Sequence, residues 1–574
     1  MNDEIYCFKS PGLATNIMHK KKASEVLKVV NSHDEDENLQ VDKIGKKIRE
    51  EIKQLPKIKT EYPVLNEETL KNTVIPTLHD LLSCISPKFE SNPLVLALIS
   101  NIVTITASSN ASMLQISLGL LIREKKLIEH LHELGVTSSY DEVRRFKISA
   151  AKHATDSTDK ALDTKEGLVQ GSSDNFDASL STQNGMKQTH SLATVILQNC
   201  NSTSGSTETR APISRLKKED LSTVKLHEPE SKVFKGEKKP KMPEEFVIRG
   251  VLPLKLLCKK LLATSKSKLR DFQFVKDIIH EPNVPDFSGY NTKHMRENGK
   301  TVKTKTKVIY KPLVNKTPSD PSTILTAMCD VEKACEKSGQ KETVFTCDQQ
   351  LYRVTMDIIW NDPQRWANFY PRLSGMHWLM SFVGSVGKLM KNSGLDRLMK
   401  AAFAGVEKML VGKKFPMNVR ALRIVVIELL RTIITKDASR DDMVSTLKSI
   451  AKESLLAKHW IDNLIYPVFL MMMYIRAERE GEFGLHLYCC KKMIPYFFAA
   501  GHWNYARDGI VYLMSMEKLP GSLMTRFLDG EHVVRVKDGL FNGIWSDMAI
   551  ETTYMKVGKG KIVTTFKIPS SIPL

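Results

Sequence analysis

Two acidic residues of this chain stand where their neighbours give them chemical potential. Asp348 closes the run ETVFTCD, whose β-branched and aromatic residues read as a short strand. Its carboxylate would sit at a strand's carboxyl end, where α/β folds collect chemistry. Glu551, within GIWSDMAIETTYMKV (543–557), has Met548 at i−3 and Met555 at i+4, so it shares an apolar helix face. No Lys or Arg lies three or four residues away, and Asp547 at i−4 is another acid. An ionised Glu on such a face needs a partner from elsewhere, and a divalent cation is one candidate. A third acid, Asp174, opens DNFD (174–177), beside the strand-like HSLATVILQ. Turn chemistry accounts for the Asp and Asn there, but not for Phe176 between the acids.

Together Asp174, Asp348 and Glu551 form a D…D…E set. Hard cations such as Mg²⁺ choose oxygen ligands. Two of them about 4 Å apart activate a nucleophile and stabilise the leaving oxygen in phosphodiester chemistry. The long gaps between the acids are no obstacle, because a fold can close them, but they are also uninformative. Asp and Glu are abundant enough that most such trios are coincidence.

The elements that must position these acids follow from the rest of the chain. Its 574 residues are enough for at least two structural units, and 42% hydrophobic with 26% charged residues is an ordinary globular balance. The net charge of +19 is not ordinary. It points first to a nucleic-acid partner and second to an anionic membrane, against a merely solubilising surface. Nine scattered cysteines form no paired CxxC, which argues against a zinc finger or a disulfide framework. The opening MNDEIYCFKSPG has no apolar core of a secretory signal. Ser91–Ile122 carries no formal charge, but its middle, TITASSNASMLQ, is too polar for lipid, so two buried helices are expected there. The expectation is a soluble protein, not secreted, in the nucleus or cytoplasm, with no membrane and no small-molecule substrate.

Residues 1–60 read as a basic mobile leader with a short helix near Asp42–Gln54. Residues 61–160 read as an N-terminal helical region. There LIEHLHELGVTSSYDEVRRF has the outline of a helix–turn–helix about Gly135, more often plain packing than a DNA reader. Residues 161–350 read as the first part of an α/β core, with a disordered insert near 199–245 where NCNSTSGSTETR leads into KVFKGEKKPKMPEE. The run KHMRENGKTVKTKTKVIYK supplies Lys293, Arg296, Lys300, Lys303, Lys305 and Lys307, as a lysine-protected edge strand or a cationic arm for nucleic acid. Residues 351–535 read as an all-α insertion, on apolar stripes such as Leu379, Phe382, Val383, Val386 and Leu422, Val425, Val426, Leu429. Residues 536–574 hold a last core helix, capped by Ser546 or Asp547, and a tail.

The blocks DNFDASLSTQNGMKQTHSLATVILQ, TVFTCDQQLYRVTMDIIW, YPRLSGMHWLMSFVGSVGKLMKNSGL, PYFFAAGHWNYARDGIVYLMSM and GIWSDMAIETTYMKVGKG run in order over roughly three quarters of the chain. They resemble an uncharacterised family of transposon-like open reading frames of marine invertebrate genomes. The acidic blocks are in turn similar to a ribonuclease-H-like DDE transposase core with a helical insertion before the last acid. The resemblance implies a catalytic set of Asp174, Asp348 and Glu551, with Asp177 competing for the first position and joining the metal-holding set. DNFD would then end the first core strand, with Phe176 turned to the core and both acids turned to metal. His190 in QTH and His377 in SGMH fall at the site periphery, although a lone histidine on an apolar helix is more often a core residue. Arg507 in HWNYAR is a phosphate contact or an ordinary ion pair. The chain departs from the pattern in having VGKGKIVTTFKIPSS where relatives carry a Gly-rich run, and in lacking a Cys/His finger near its start. Both departures are consistent with an inactive or truncated copy.

The fold expected is therefore mixed α/β and predominantly helical, with a ribonuclease-H-like core interrupted by a large all-α insertion. The function expected is nucleic-acid binding, with DNA as the first choice, and Mg²⁺-dependent, two-metal DDE-type cleavage or strand transfer. The competing expectation is a non-enzymatic helical scaffold or DNA-binding protein derived from a mobile element.

Overall fold

The computed structural model of the chain describes residues 5–8, 16–19, 35–86, 92–108, 111–122, 124–157, 162, 167–179, 188–200, 212–223, 230–248 and 265–552. They fall into two units, one within 1–154 and 207–226, the other within 155–206 and 227–566. The architecture is mixed α/β and predominantly helical.

The first unit is built on helices, including Pro93–Ser108, Met113–Leu121, Lys125–Glu133 and Tyr140–Ser157. The first two come from the uncharged stretch, with Leu96, Ala97, Leu114 and Ile116 buried. Among the described residues no helix is long and apolar enough to cross a membrane. Gly135, at φ +71°, makes the turn between the last two helices. A two-residue strand, Glu61–Tyr62, pairs antiparallel with Ile213–Ser214. Arg215 then reaches Glu142 with two 2.8 Å bonds, and the Tyr62 hydroxyl donates to the same carboxylate at 2.8 Å. Part of the segment expected to be a disordered insert is thus a strand of this unit.

The second unit is organised by one five-stranded sheet. Its strands are β1 (Val169–Ser179), β2 (Gln188–Gln198), β3 (Lys307–Tyr310), β4 (Thr343–Cys347) and β5 (Phe369–Leu373), in the order β3-β2-β1-β4-β5. β1 and β2 pair antiparallel over eleven residues, and β3 adds antiparallel to β2 at one edge. β4 runs parallel to β1, and β5 parallel to β4. The segment 180–187, where Gly185 was expected to make a hairpin, lies outside the described residues. Both faces of the sheet are covered, which explains the near-continuous apolar run of β2. Leu192 and Ile196 join the main core with α3 (Pro321–Lys337), whereas Ala193, Val195 and Leu197 join a smaller cluster on the other face. Gly171 lets α3 approach closely, since a methyl group there would overlap Val331.

Three helices complete the sheet surroundings: α4 (Gln349–Asn361), α5 (Gly375–Leu389) and the short α10 (Ser546–Ile550). Between α5 and α10 lie α6 (Phe415–Arg431), α7 (Tyr466–Glu480), α8 (Phe483–Ala499) and α9 (Trp503–Glu517), whose apolar stripes share the main core with α3 and α4. Trp378 of α5 sits edge-on to Phe497 of α8, with ring centroids 4.8 Å apart. Two further helices, α1 (Ser265–His280) and α2 (Phe287–Glu297), precede β3. Arg476 of α7, fully buried, pairs with Asp271 of α1 at 2.9 Å, a contact whose loss would strand a buried charge.

Two expected boundaries are corrected. The region 351–535 is not all-α: α4 and β5 within it belong to the sheet unit, and Val534–Arg535 pairs antiparallel with Gly543–Ile544. Residues 230–248 are not disordered either. This strap lies across α3 and α4, where Thr326, Ser322 and Asn361 accept hydrogen bonds from the backbone of Lys232, Phe234 and Glu237 at 2.8–3.1 Å. Its far end is pinned by buried Phe246 against Trp360.

Candidate metal centre

Strand register decides which residues meet. The last parallel pair between β1 and β4 is Ser173 with Cys347, so the residues that follow, Asp174 and Asp348, emerge side by side. β5 ends level with β4, at Leu373 opposite Cys347, and two residues later α5 begins and brings His377 to the same edge. The two parallel strands β4 and β5 thus deliver Asp348 and His377 just past their carboxyl ends, level with Asp174. Asp174 itself lies mid-strand, because β1 runs on to Ser179 and does not end at DNFD as expected. α10 packs Ala549 and Ile550 on Phe176, Ala193 and Val195, and Glu551 stands at its C-terminal cap.

Asp174, His377 and Glu551 each bring one potential ligand atom within 4.8 Å of the others. Asp348 lies beside them, its Oδ2 receiving a 3.4 Å contact from Asn175 Nδ2. Its other oxygen accepts the Leu351 N–H at 2.8 Å and caps α4, so the same carboxylate has a structural task. Asp174 is only 4% exposed, and its Oδ2 is buried without a hydrogen-bond partner. A buried carboxylate oxygen left unsatisfied next to other acids calls for a physical explanation.

The electrostatics follow from this crowding. Burial pushes the Asp174 carboxyl up to about 7. His377 opposes the rise, while Asp348, Glu551 and Asp547 add to it. Burial likewise raises Asp348, although the Leu351 N–H and His377 pull the other way. At His377 burial disfavours the charge, but the Asp547 hydrogen bond and the surrounding carboxylates prevail and raise it to about 10. Asp547, fully buried, accepts from His377 Nδ1 at 3.0 Å and from the backbone N–H groups of Met376 and His377 at 3.2 and 3.1 Å. Burial works against its charge, yet these donors hold it below the ordinary range. With Nδ1 committed to Asp547, the imidazole has Nε2 left for the cluster. Its proton is the local positive charge.

Asp174, His377 and Glu551 could together hold a metal ion, and Asp348, expected as a ligand, lies beside this set rather than in it. The expected members are otherwise sorted as follows. Asp177 is not in the cluster. On a strand, residues three apart face opposite sides, so Asp174 shares its face with Phe176, and Asp177 points away. Asp177 instead pairs with His190 at 2.8 Å on an exposed strand end, which also removes His190 from the periphery. His377 moves from periphery to centre. Asp547 does not cap α10, whose N-cap is Trp545; it caps α5 and orients His377. Met548 packs as expected, while Met555 lies outside the described residues. Arg507 forms the ion-pair alternative, with Asp508 at 2.7 Å, and stays about half exposed. Lys293, Arg296, Lys300, Lys303 and Lys305 are exposed, and Lys307 is half-buried in the edge strand β3. Asn175 and Asp547 were missed as site residues. The only signal was their adjacency to Asp174 and Glu551.

A family profile described as "Domain of unknown function (DUF8702)" matches residues 286–456 and 437–566. The matched region includes Asp348, His377, Asp547 and Glu551, and leaves β1 with Asp174 outside it. No curated protein and no solved structure matches the chain.

Proposed function

We propose that this is a transposon-derived nucleic-acid-binding protein with a ribonuclease-H-like core that carries out Mg²⁺-dependent, DDE-type cleavage or strand transfer. The observation that carries the proposal is the meeting of Asp174 and Glu551 across the whole helical insertion, around a buried oxygen that no protein group satisfies. The sheet adds support: one acid on β1, the second just past the adjacent parallel strand, and the third on a helix crossing the face. When bound, a pair of divalent cations would activate the attacking hydroxyl and stabilise the leaving oxygen. Asp174, Asp348 and Glu551 would hold them. Asn175 steadies Asp348, and Asp547 holds His377 over the cluster. The charge of +19 supports nucleic acid, DNA first, as the substrate.

The test is Mg²⁺- or Mn²⁺-dependent nicking of supercoiled DNA by wild type, Asp348→Asn and Asp177→Asn. Asparagine is as good an N-cap as aspartate, so Asp348→Asn keeps α4 intact while removing a charge. Nicking by wild type and Asp177→Asn, but not by Asp348→Asn, is the expected result. Equal nicking by all three sinks the catalytic assignment of Asp348, and none by wild type with DNA still bound leaves the non-enzymatic DNA-binding scaffold.

A further inference from the structure

The strap of residues 230–248 has the composition of a disordered linker, yet it is fastened at several points. Asn361 clasps it from both sides, accepting from the Glu237 N–H and donating to the Glu237 carbonyl, each at 2.8 Å. Gly236 is required there, because a Cβ would stand 2.6 Å from Asn361 Oδ1. At the other end, Lys518 pairs with Glu245 at 2.8 Å and lies over the Phe246 ring. Between these anchors Lys235, Lys238 and Lys239 are exposed and make no ion pair with any described residue. Of the strap's acids, Glu230 pairs with Lys232, Glu244 with Lys241 and Glu245 with Lys518, while Glu237, between Lys235 and Lys238, is exposed.

The strap's two ends connect regions already described. At its start, Lys316 donates to Ser231 at 2.6 Å, which joins the strap to the basic run leading through β3. Near its middle, Asp357 of α4 lies within electrostatic reach of both Lys239 and Arg507. Arg507 pairs with Asp508, and Asp508 accepts from Gln349, the neighbour of Asp348, at 2.7 Å. The backbone that carries the lysines is therefore held over the C-terminal half of α4, about 14–20 Å along that helix from Asp348.

We propose that the strap is a phosphate-binding rail, with Lys235, Lys238 and Lys239 gripping the backbone of the nucleic acid where it passes the end of α4 remote from Asp348. The inference rests on the nucleic-acid reading above, but not on its chemistry. Binding of a labelled 30-base-pair DNA duplex to the full chain, followed by fluorescence anisotropy over a range of salt, tests it. Each lost phosphate contact lowers the slope of log K against log salt by about 0.9, so the triple change K235Q/K238Q/K239Q lowers it by about 3. At 0.1 M salt the affinity falls on the order of 100-fold. The triple arginine variant keeps the wild-type slope. Asn361→Ala, which opens the clasp without changing a charge, weakens binding several-fold. If the triple glutamine variant keeps the wild-type slope, or Asn361→Ala binds as tightly as wild type, the rail is overturned while DNA binding stands. A flat salt response in wild type overturns both readings. Normal binding with no nicking removes only the chemistry.

Discussion

Asp174 offers the sharpest test, because a cation site should cost the empty protein stability. Its carboxyl rises from an ordinary 3.8 to about 7 on folding, with burial as the main cause. The folded chain therefore holds a proton that the unfolded chain releases. The penalty is absent below pH 3.8, grows as pH rises to about 7, and is complete above it. At 1.36 kcal/mol per pH unit, the full cost is about 4 kcal/mol. Asp174→Asn removes the charge while nearly keeping the shape, so in EDTA at pH 8 the variant should be more stable by up to this amount. The gain should vanish near pH 4. His377 has the opposite sign: its stabilisation is present below pH 6.5 and is lost as pH rises towards 10. Taking the difference between wild type and variant across pH 4 to 6.5 isolates the aspartate. All six tryptophans lie in the second unit, so urea unfolding followed by tryptophan fluorescence reports that unit. Saturating MgCl₂ should stabilise wild type and leave the variant almost unchanged. A variant less stable than wild type at pH 8, with a difference that ignores pH, would mean that protein groups already satisfy the carboxylate, and the cation argument fails.

Other substitutions probe the supports. Asp547→Asn withdraws the charge that orients His377, and should weaken Mn²⁺ binding by about 10–100-fold in an EPR titration. Gly375→Ala drives a methyl group into Trp545, separating the helix that carries His377 from the one that carries Glu551. Nicking should be lost while binding of duplex DNA is retained. Gly171→Ala should cost about 1–3 kcal/mol in urea unfolding through overlap with Val331, and Val331→Ala in the same chain should recover part of it. His190→Ala breaks only an exposed pair and should change stability by less than about 1 kcal/mol, with no effect on nicking.

What could be read from the sequence differed from element to element, for physical reasons. TVFTC announces a strand by composition, so Asp348 was placed correctly at its end. The apolar stripes of α5 and α6 declare their period in the same way. β5 was hidden, because FYPRL is short, contains Pro371, and buries Arg372, whose guanidinium donates to the His532 carbonyl at 2.8 Å. Without that strand, SGMH reads as helix interior, and His377 cannot be placed at the sheet edge. The strap was misread for a related reason: its order comes from side chains of α3 and α4, remote in sequence, and not from its own composition. Asp177 is a different failure. The two-residue period of a strand already separated it from Asp174, whatever the fold turned out to be.

The late position of α10 bears on synthesis. Residues Val169–Leu373 supply every strand of the sheet, but the helix that covers Phe176, Ala193, Val195 and Leu197 is translated more than 170 residues after β5. At 5–20 residues per second, a ribosome leaves that apolar face bare for on the order of ten seconds or longer. Nascent chains stalled in this interval should engage chaperones or aggregate through the uncovered sheet. The same timing keeps Glu551 away from Asp174 until the intervening helices have been made, so their mutual repulsion arises only when packing is available to hold them together.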